Sequence, residues 1–111
     1  MEFRLIFHWK EDYLTSSGQW ITIEMKLIKF SNTSRKEFPQ GYKFNWIAFR
    51  QNNPGEKVLF DNHHGKEPHF HINGHEEFFV WESPSQTQAL FFQKVRSKFG
   101  DFIIKLNNHG N

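Results

Sequence analysis

The chain contains no cysteine. That absence excludes a disulfide scaffold, a thiolate nucleophile and any cysteine-ligated zinc or iron–sulfur centre, and it fits a reducing compartment. Long apolar runs are missing too. Nothing approaches the ~18 apolar residues of a membrane span. Met1 to Lys10 is interrupted by Glu2, Arg4, His8 and Lys10, unlike the apolar core of a secretory signal peptide. The expectation is a soluble cytoplasmic protein with no membrane partner. Charge of one sign is also scarce. Lys and Arg number 14 against 12 Asp and Glu, a formal net charge of +2. A nucleic-acid partner must therefore be argued from a local patch rather than from net charge. No Gly-rich phosphate loop, Ser-His-Asp triad, glycosidase carboxylate pair, internal repeat or domain linker is legible, so residues 1–111 read as a single domain.

What is present is large and aromatic. Hydrophobic residues make up only 37%, but they include 14 Phe, 4 Trp and 2 Tyr. Each aromatic buries about 150–250 Å², so a few of them fill a core in a chain of this length. Disorder is excluded as the main state.

Alternation with a period of two recurs along the first two-thirds of the chain. Phe3, Leu5, Phe7 and Trp9 share one face of a first strand, with Arg4, Ile6, His8 and Lys10 on the other. Glu11 to Gly18 reads as a turn. The second strand, Trp20 to Phe30, sets Ile21, Ile23, Met25 and Leu27 against Thr22, Glu24 and Lys26. A polar connection, Ser31 to Gly41, leads to a third strand, Tyr42 to Arg50. The turn cluster Gln51-Asn52-Asn53-Pro54-Gly55 joins it to Lys57–Asp61. Two short strands, His69 to Ile72 and Glu77 to Trp81, flank the hairpin signal Asn73-Gly74. The period then changes. Ser83 fits a helix N-cap, Pro84 the first helical position and Gln86 the capping-box partner. Phe91, Phe92, Val95 and Phe99 form an apolar stripe that ends at Gly100. Asp101 to Leu106 reads equally well as strand or helix. The expected fold class is α+β, an antiparallel sheet of about six strands with one C-terminal helix packed on one face. The other face is left partly wet.

Five of the seven histidines fall between His63 and His75. On a strand, His69 and His71 project to the same face with origins about 7 Å apart, close enough to converge on one ion or one phosphate. Asp61, His63 and His64 adjoin them at the end of the preceding strand. Three readings follow. The block is a solvated polar loop. It is a metal site, drawing imidazoles from His63, His64, His69, His71 and His75 and a carboxylate from Asp61 or Glu76. Or it performs metal-independent phosphodiester chemistry. In that case one imidazole deprotonates a ribose 2′-hydroxyl, a second protonates the leaving 5′-oxygen and Lys66 offsets charge on the phosphorane. Lys66 repels a dication and no carboxylate lies between His69 and His71, so the expectation is a site with no cofactor. If a metal is present, its expected ligands are His63, His64, His69 and His71. The His-x-His before Glu76 invites comparison with the cupin metal motif, but the preceding glycine is too close and no second motif follows. Trp9, Trp20, Trp46 and Trp81 at strand spacing read as core or sheet-edge residues rather than base-stacking platforms. Lys26, Lys29, Arg35, Lys36, Lys43 and Arg50 read as a solvated face rather than a groove.

The segment Val58-Leu59-Phe60-Asp61-Asn62-His63-His64-Gly65-Lys66-Glu67-Pro68-His69-Phe70-His71 is similar to the central motif of the TumE-like toxin family of bacterial toxin–antitoxin systems. The order of early strands and a C-terminal helix is also that family's. The resemblance implies a cytoplasmic toxin made beside an antitoxin and acting on RNA, with Asp61, Asn62, His63, His64, His69 and His71 as the marked positions. The resulting expectation is a metal-independent endoribonuclease with His69 and His71 central. Its expected partners are a cognate antitoxin and RNA, with a homodimer left open. The competing expectation is a non-enzymatic binding or regulatory module whose histidine-rich loop holds a metal ion or a protein.

Overall fold

A computed structural model of the chain describes residues 3–31, 38–62 and 67–104. Six strands, β1 (Phe3–Leu14), β2 (Trp20–Phe30), β3 (Tyr42–Arg50), β4 (Asn53–Asp61), β5 (His69–Ile72) and β6 (His75–Phe78), precede one helix, α1 (Pro84–Phe99). The strands lie side by side in chain order, each antiparallel to the next. The helix lies against β3 and β4. This is the α+β arrangement the alternation predicts. Among the described residues no helix is long and apolar enough to cross a membrane.

One face of the sheet supplies the core. Direct cross-strand partners share a face, so Met25, Trp46 and Phe60 line up across β2, β3 and β4, as do Ile23, Ala48 and Val58. All six are fully buried, together with Phe91 and Val95 of the helix. Phe60 stacks on Phe70 of β5 at 4.9 Å and meets Phe91 edge-on at 5.3 Å. The indole of Trp46 donates to the Lys26 carbonyl at 3.1 Å, which satisfies its buried N–H.

The helix begins where its capping residues place it. Ser83 is extended and its hydroxyl accepts from the Gln86 amide at 3.1 Å, with Pro84 next. Its buried stripe is Thr87, Phe91, Val95 and Phe99, four residues apart. Phe92, expected in the stripe, is half-buried instead and packs on Phe91 and Phe102. Gly100 at φ +102 ends the helix against the β1–β2 turn. There Ser17 Oγ donates to the Phe99 carbonyl at 2.6 Å and the Ser16 amide donates to Asp101 at 2.8 Å. A Cβ at Gly100 would lie 3.0 Å from Ser16 Oγ, so both φ and space favour glycine there.

Several boundaries differ from the expectation. β1 continues to Leu14, because Tyr13 still packs on the core and Asp12 Oδ1 accepts from Thr22 Oγ1 at 2.7 Å across the pair. The register shifts between Leu5 and Phe7, making Ile6 an extra residue. Phe3 and Leu5 consequently oppose Phe30 and Ile28 on the face away from the helix, whereas Phe7 and Trp9 keep the core side. β4 starts at Asn53, within the turn cluster, since a further register shift at Phe49/Arg50 absorbs the extra residues. β6 spans His75–Phe78 rather than Glu77–Trp81. Phe79 and Trp81 leave the sheet to pack on Phe60 and Phe44 at 5.5 and 5.4 Å. Residues 101–104 are neither strand nor helix, and buried Phe102 rests against Tyr13 at 5.1 Å. The rest of that segment and residues 32–37 of the polar connection lie outside the described residues.

Candidate functional site

The face without the helix carries the polar chemistry. Register places His8, Lys26, Asn45, Asp61, His69 and Phe78 in one row across all six strands. In the neighbouring row Leu59 opposes His71, and His71 opposes Glu76. The two-residue turn Asn73-Gly74 sets that last pairing, with Asn73 at φ +52 and Gly74 at φ +81.

His69 is the centre of the cluster and is completely buried. Its Nδ1 lies 2.9 Å from the Glu67 carbonyl oxygen. A carbonyl only accepts, so Nδ1 carries the proton and donates it. Nε2 is then turned towards carboxylates: 2.8 Å from Asp61 Oδ1 and 3.7 Å from Glu76 Oε2. His71 Nε2 lies 3.3 Å from the same Glu76 oxygen. The two imidazoles stand edge to face with centroids 5.0 Å apart. The Asp61 side chain is only 6% exposed, while those of His71 and Glu76 are about one-third open, at 31% and 30%. The cluster thus has a buried half, Asp61–His69, and an accessible half, His71–Glu76. A carboxylate this deeply buried needs a positive partner, because desolvating an ion costs several kcal/mol.

Of the residues marked from the sequence, Asp61, His69 and His71 are brought together. Asn62 sits next to them but is turned into β3. Its Oδ1 accepts from the Phe44 amide at 3.0 Å, its Nδ2 donates to the Tyr42 carbonyl at 2.8 Å, and its own carbonyl accepts from Lys43 Nζ at 3.2 Å. Asn62 therefore fixes where the chain leaves β4. His63, His64 and Lys66 lie outside the described residues. His75 falls on the opposite face, since it pairs with Ile72, and its Nε2 is 3.3 Å from Glu77. Glu76, weighed from the sequence only as an alternative metal carboxylate and in the cupin comparison, joins the cluster because the Asn73-Gly74 turn sets it opposite His71.

Beside the cluster is a hollow of about 340 Å³ lined by His8, Glu24, Lys26, Ile28, Lys43, Phe44 and Asn45. His8 Nε2 is 2.8 Å from Glu24, whereas Lys26 and Lys43 give the hollow its cationic side. Asn45 belongs to the hollow and pairs in register with Asp61, so hollow and cluster adjoin. Of the other residues weighed from the sequence, Trp46 is core and Trp20 is exposed, while Trp9 and Trp81 pack on the core. No protein-family model, curated protein or solved structure matches the chain.

Proposed function

We propose that this chain is a small RNA-acting protein, the toxin of a toxin–antitoxin pair, that cleaves phosphodiester bonds on the open face of its sheet. The observation carrying the reading is the juxtaposition of the Asp61–His69–His71–Glu76 cluster with the hollow holding Lys26, Lys43 and Asn45. The similarity of residues 58–71 to the TumE-like motif supports it, and a partner antitoxin then restrains the activity. In the reaction the ribose 2′-oxygen attacks phosphorus and the bond from phosphorus to the 5′-oxygen breaks. The 2′ proton passes to a base and the departing 5′-oxygen takes up a proton, leaving a 2′,3′-cyclic phosphate and a 5′-hydroxyl.

A two-histidine version of this chemistry requires both imidazoles to reach the substrate. Burial withdraws His69 from that contact, so the roles shift. Glu76 is the accessible base for the 2′ proton, His71 faces the phosphate beside it, and water returns a proton to the 5′-oxygen. Lys26 and Lys43 hold neighbouring phosphates by charge.

Induced expression in a bacterial host tests the proposal. Growth arrest by the parent chain, relieved by Glu76→Gln at equal protein level, is the expected result, together with cyclic-phosphate ends on RNA treated with purified protein. A host indifferent to the parent chain, with its RNA intact, returns the protein to the class of non-enzymatic binding modules.

A further inference from the structure

The buried half of the cluster poses a chemical question that the cleavage reading leaves open. His69 Nδ1 is committed to the Glu67 carbonyl, so a neutral His69 presents the lone pair of Nε2. That lone pair points at Asp61 Oδ1 from 2.8 Å, with Glu76 Oε2 at 3.7 Å. Acceptor atoms at such distances are held together by a shared proton or by a metal cation.

We infer that Asp61, His69 and His71 form a binding site for one divalent transition-metal ion of the zinc class, with Glu76 beside its open position. Three observations meet here. First, one ligand atom from each of Asp61, His69 and His71 lies within 4.8 Å of the other two. Ligands at about 2.0–2.2 Å from a tetrahedral ion stand about 3.3–3.5 Å apart. To reach that spacing the 2.8 Å between Asp61 and His69 has to open slightly and the His71 imidazole has to move inwards. Second, the donor set of two imidazoles and a carboxylate is the one that suits zinc and its neighbours rather than magnesium or calcium. Third, the Nδ1 hydrogen bond to a backbone carbonyl is the outer contact that fixes a ligating imidazole in tautomer and orientation. Three protein ligands leave a coordination position, and the exposed side of the cluster is where His71 and Glu76 lie. An ion held there polarises a phosphate oxygen and offsets charge on the phosphorane, the task that Lys66 was expected to perform. In this respect the inference rests on the cleavage reading of the same residues and replaces its metal-free form.

The decisive measurement is a calorimetric titration of the full chain, stripped with EDTA and dialysed, with Zn²⁺ alone, followed by melts with and without Zn²⁺. The expected result is one ion per chain and a melting temperature that rises with Zn²⁺. His71→Gln should weaken binding at least about tenfold while melting in EDTA like the parent. His75→Gln, on the opposite face, should bind as the parent does. Absence of binding overturns the inference, and so does binding that His71→Gln leaves intact. If Asp61→Asn fails to fold, the half-exposed His71 variant still decides the matter. RNA is absent from the titration, so the two readings fail separately. Zn²⁺ uptake by a chain that leaves RNA whole refutes only the cleavage reading. RNA cleavage in EDTA by a chain that takes up no Zn²⁺ refutes only this one.

Discussion

The two faces of the sheet come from the same alternating strands and carry opposite chemistry. The helix side stacks Ile23, Met25, Phe44, Trp46, Val58 and Phe60 under Phe91 and Val95, all fully buried. The open side carries His8, Lys26, Asn45, Asp61, His69 and His71. Burial alone does not separate them, because His69 on the open side is as deeply buried as Trp46 on the other. The difference lies in what burial demands. An apolar ring is satisfied by contact, whereas an imidazole between a carbonyl and a carboxylate is held by specific partners. The core face consequently stabilises the fold, and the open face uses that rigidity to hold acceptors together.

Breaking the core face should have the largest effect. Phe91→Ala removes a ring that meets Trp46, Phe60 and Phe92, and should cost about 3–5 kcal/mol in a urea melt. That is a large share of the ~5–15 kcal/mol of a typical domain. On the open face the two neighbouring histidines should separate. His69→Ala leaves buried Asp61 without its imidazole and should cost about 3 kcal/mol. His71→Ala, on the accessible half, should cost less than about 1 kcal/mol. Equal losses for the two would erase the distinction between a buried and an accessible half. The smallest effect concerns Tyr13, where the core meets solvent at the edge of the sheet. Burial, and secondarily the charge of Glu11, raise its pKa above the ordinary 10.0. The unfolded chain therefore ionises this phenol first, so its contribution is intact below pH 10.0 and is lost as pH rises through the folded value. Melts above pH 10.0 should show a fall that Tyr13→Phe reduces.

Much of this was legible in the sequence. The succession of six strands along the chain, the helix with its Ser83 cap and Gly100 stop, and the shared face of His69 and His71 all follow from periodicity and capping chemistry. What was not legible was the effect of single residues on register. Ile6 carries an apolar side chain and does not look like an insertion, yet as the extra residue of a bulge it turns Phe3 and Leu5 to the open face. Phe79 and Trp81 continue an alternating pattern and were read as strand, but their rings gain more by folding under the sheet against Phe60 and Phe44. The cluster was half visible. A list of neighbours along the chain shows no carboxylate between His69 and His71, while the antiparallel ladders bring Asp61 and Glu76 to them from either side.

β5 and β6 have four residues each, and β6 is one of the sheet's two edge strands. Glu76 thus stands on a margin that only one ladder holds, while Asp61 stands on β4, which has partners on both sides. Such margins fray first: a short outer strand opens at a free-energy cost well below that of unfolding the whole. Each opening of this hairpin withdraws Glu76 and exposes His69 to water, while β1 to β4 and the helix stay assembled. The deepest imidazole among the described residues is therefore reached by the breathing of a four-residue edge strand, with no tunnel required.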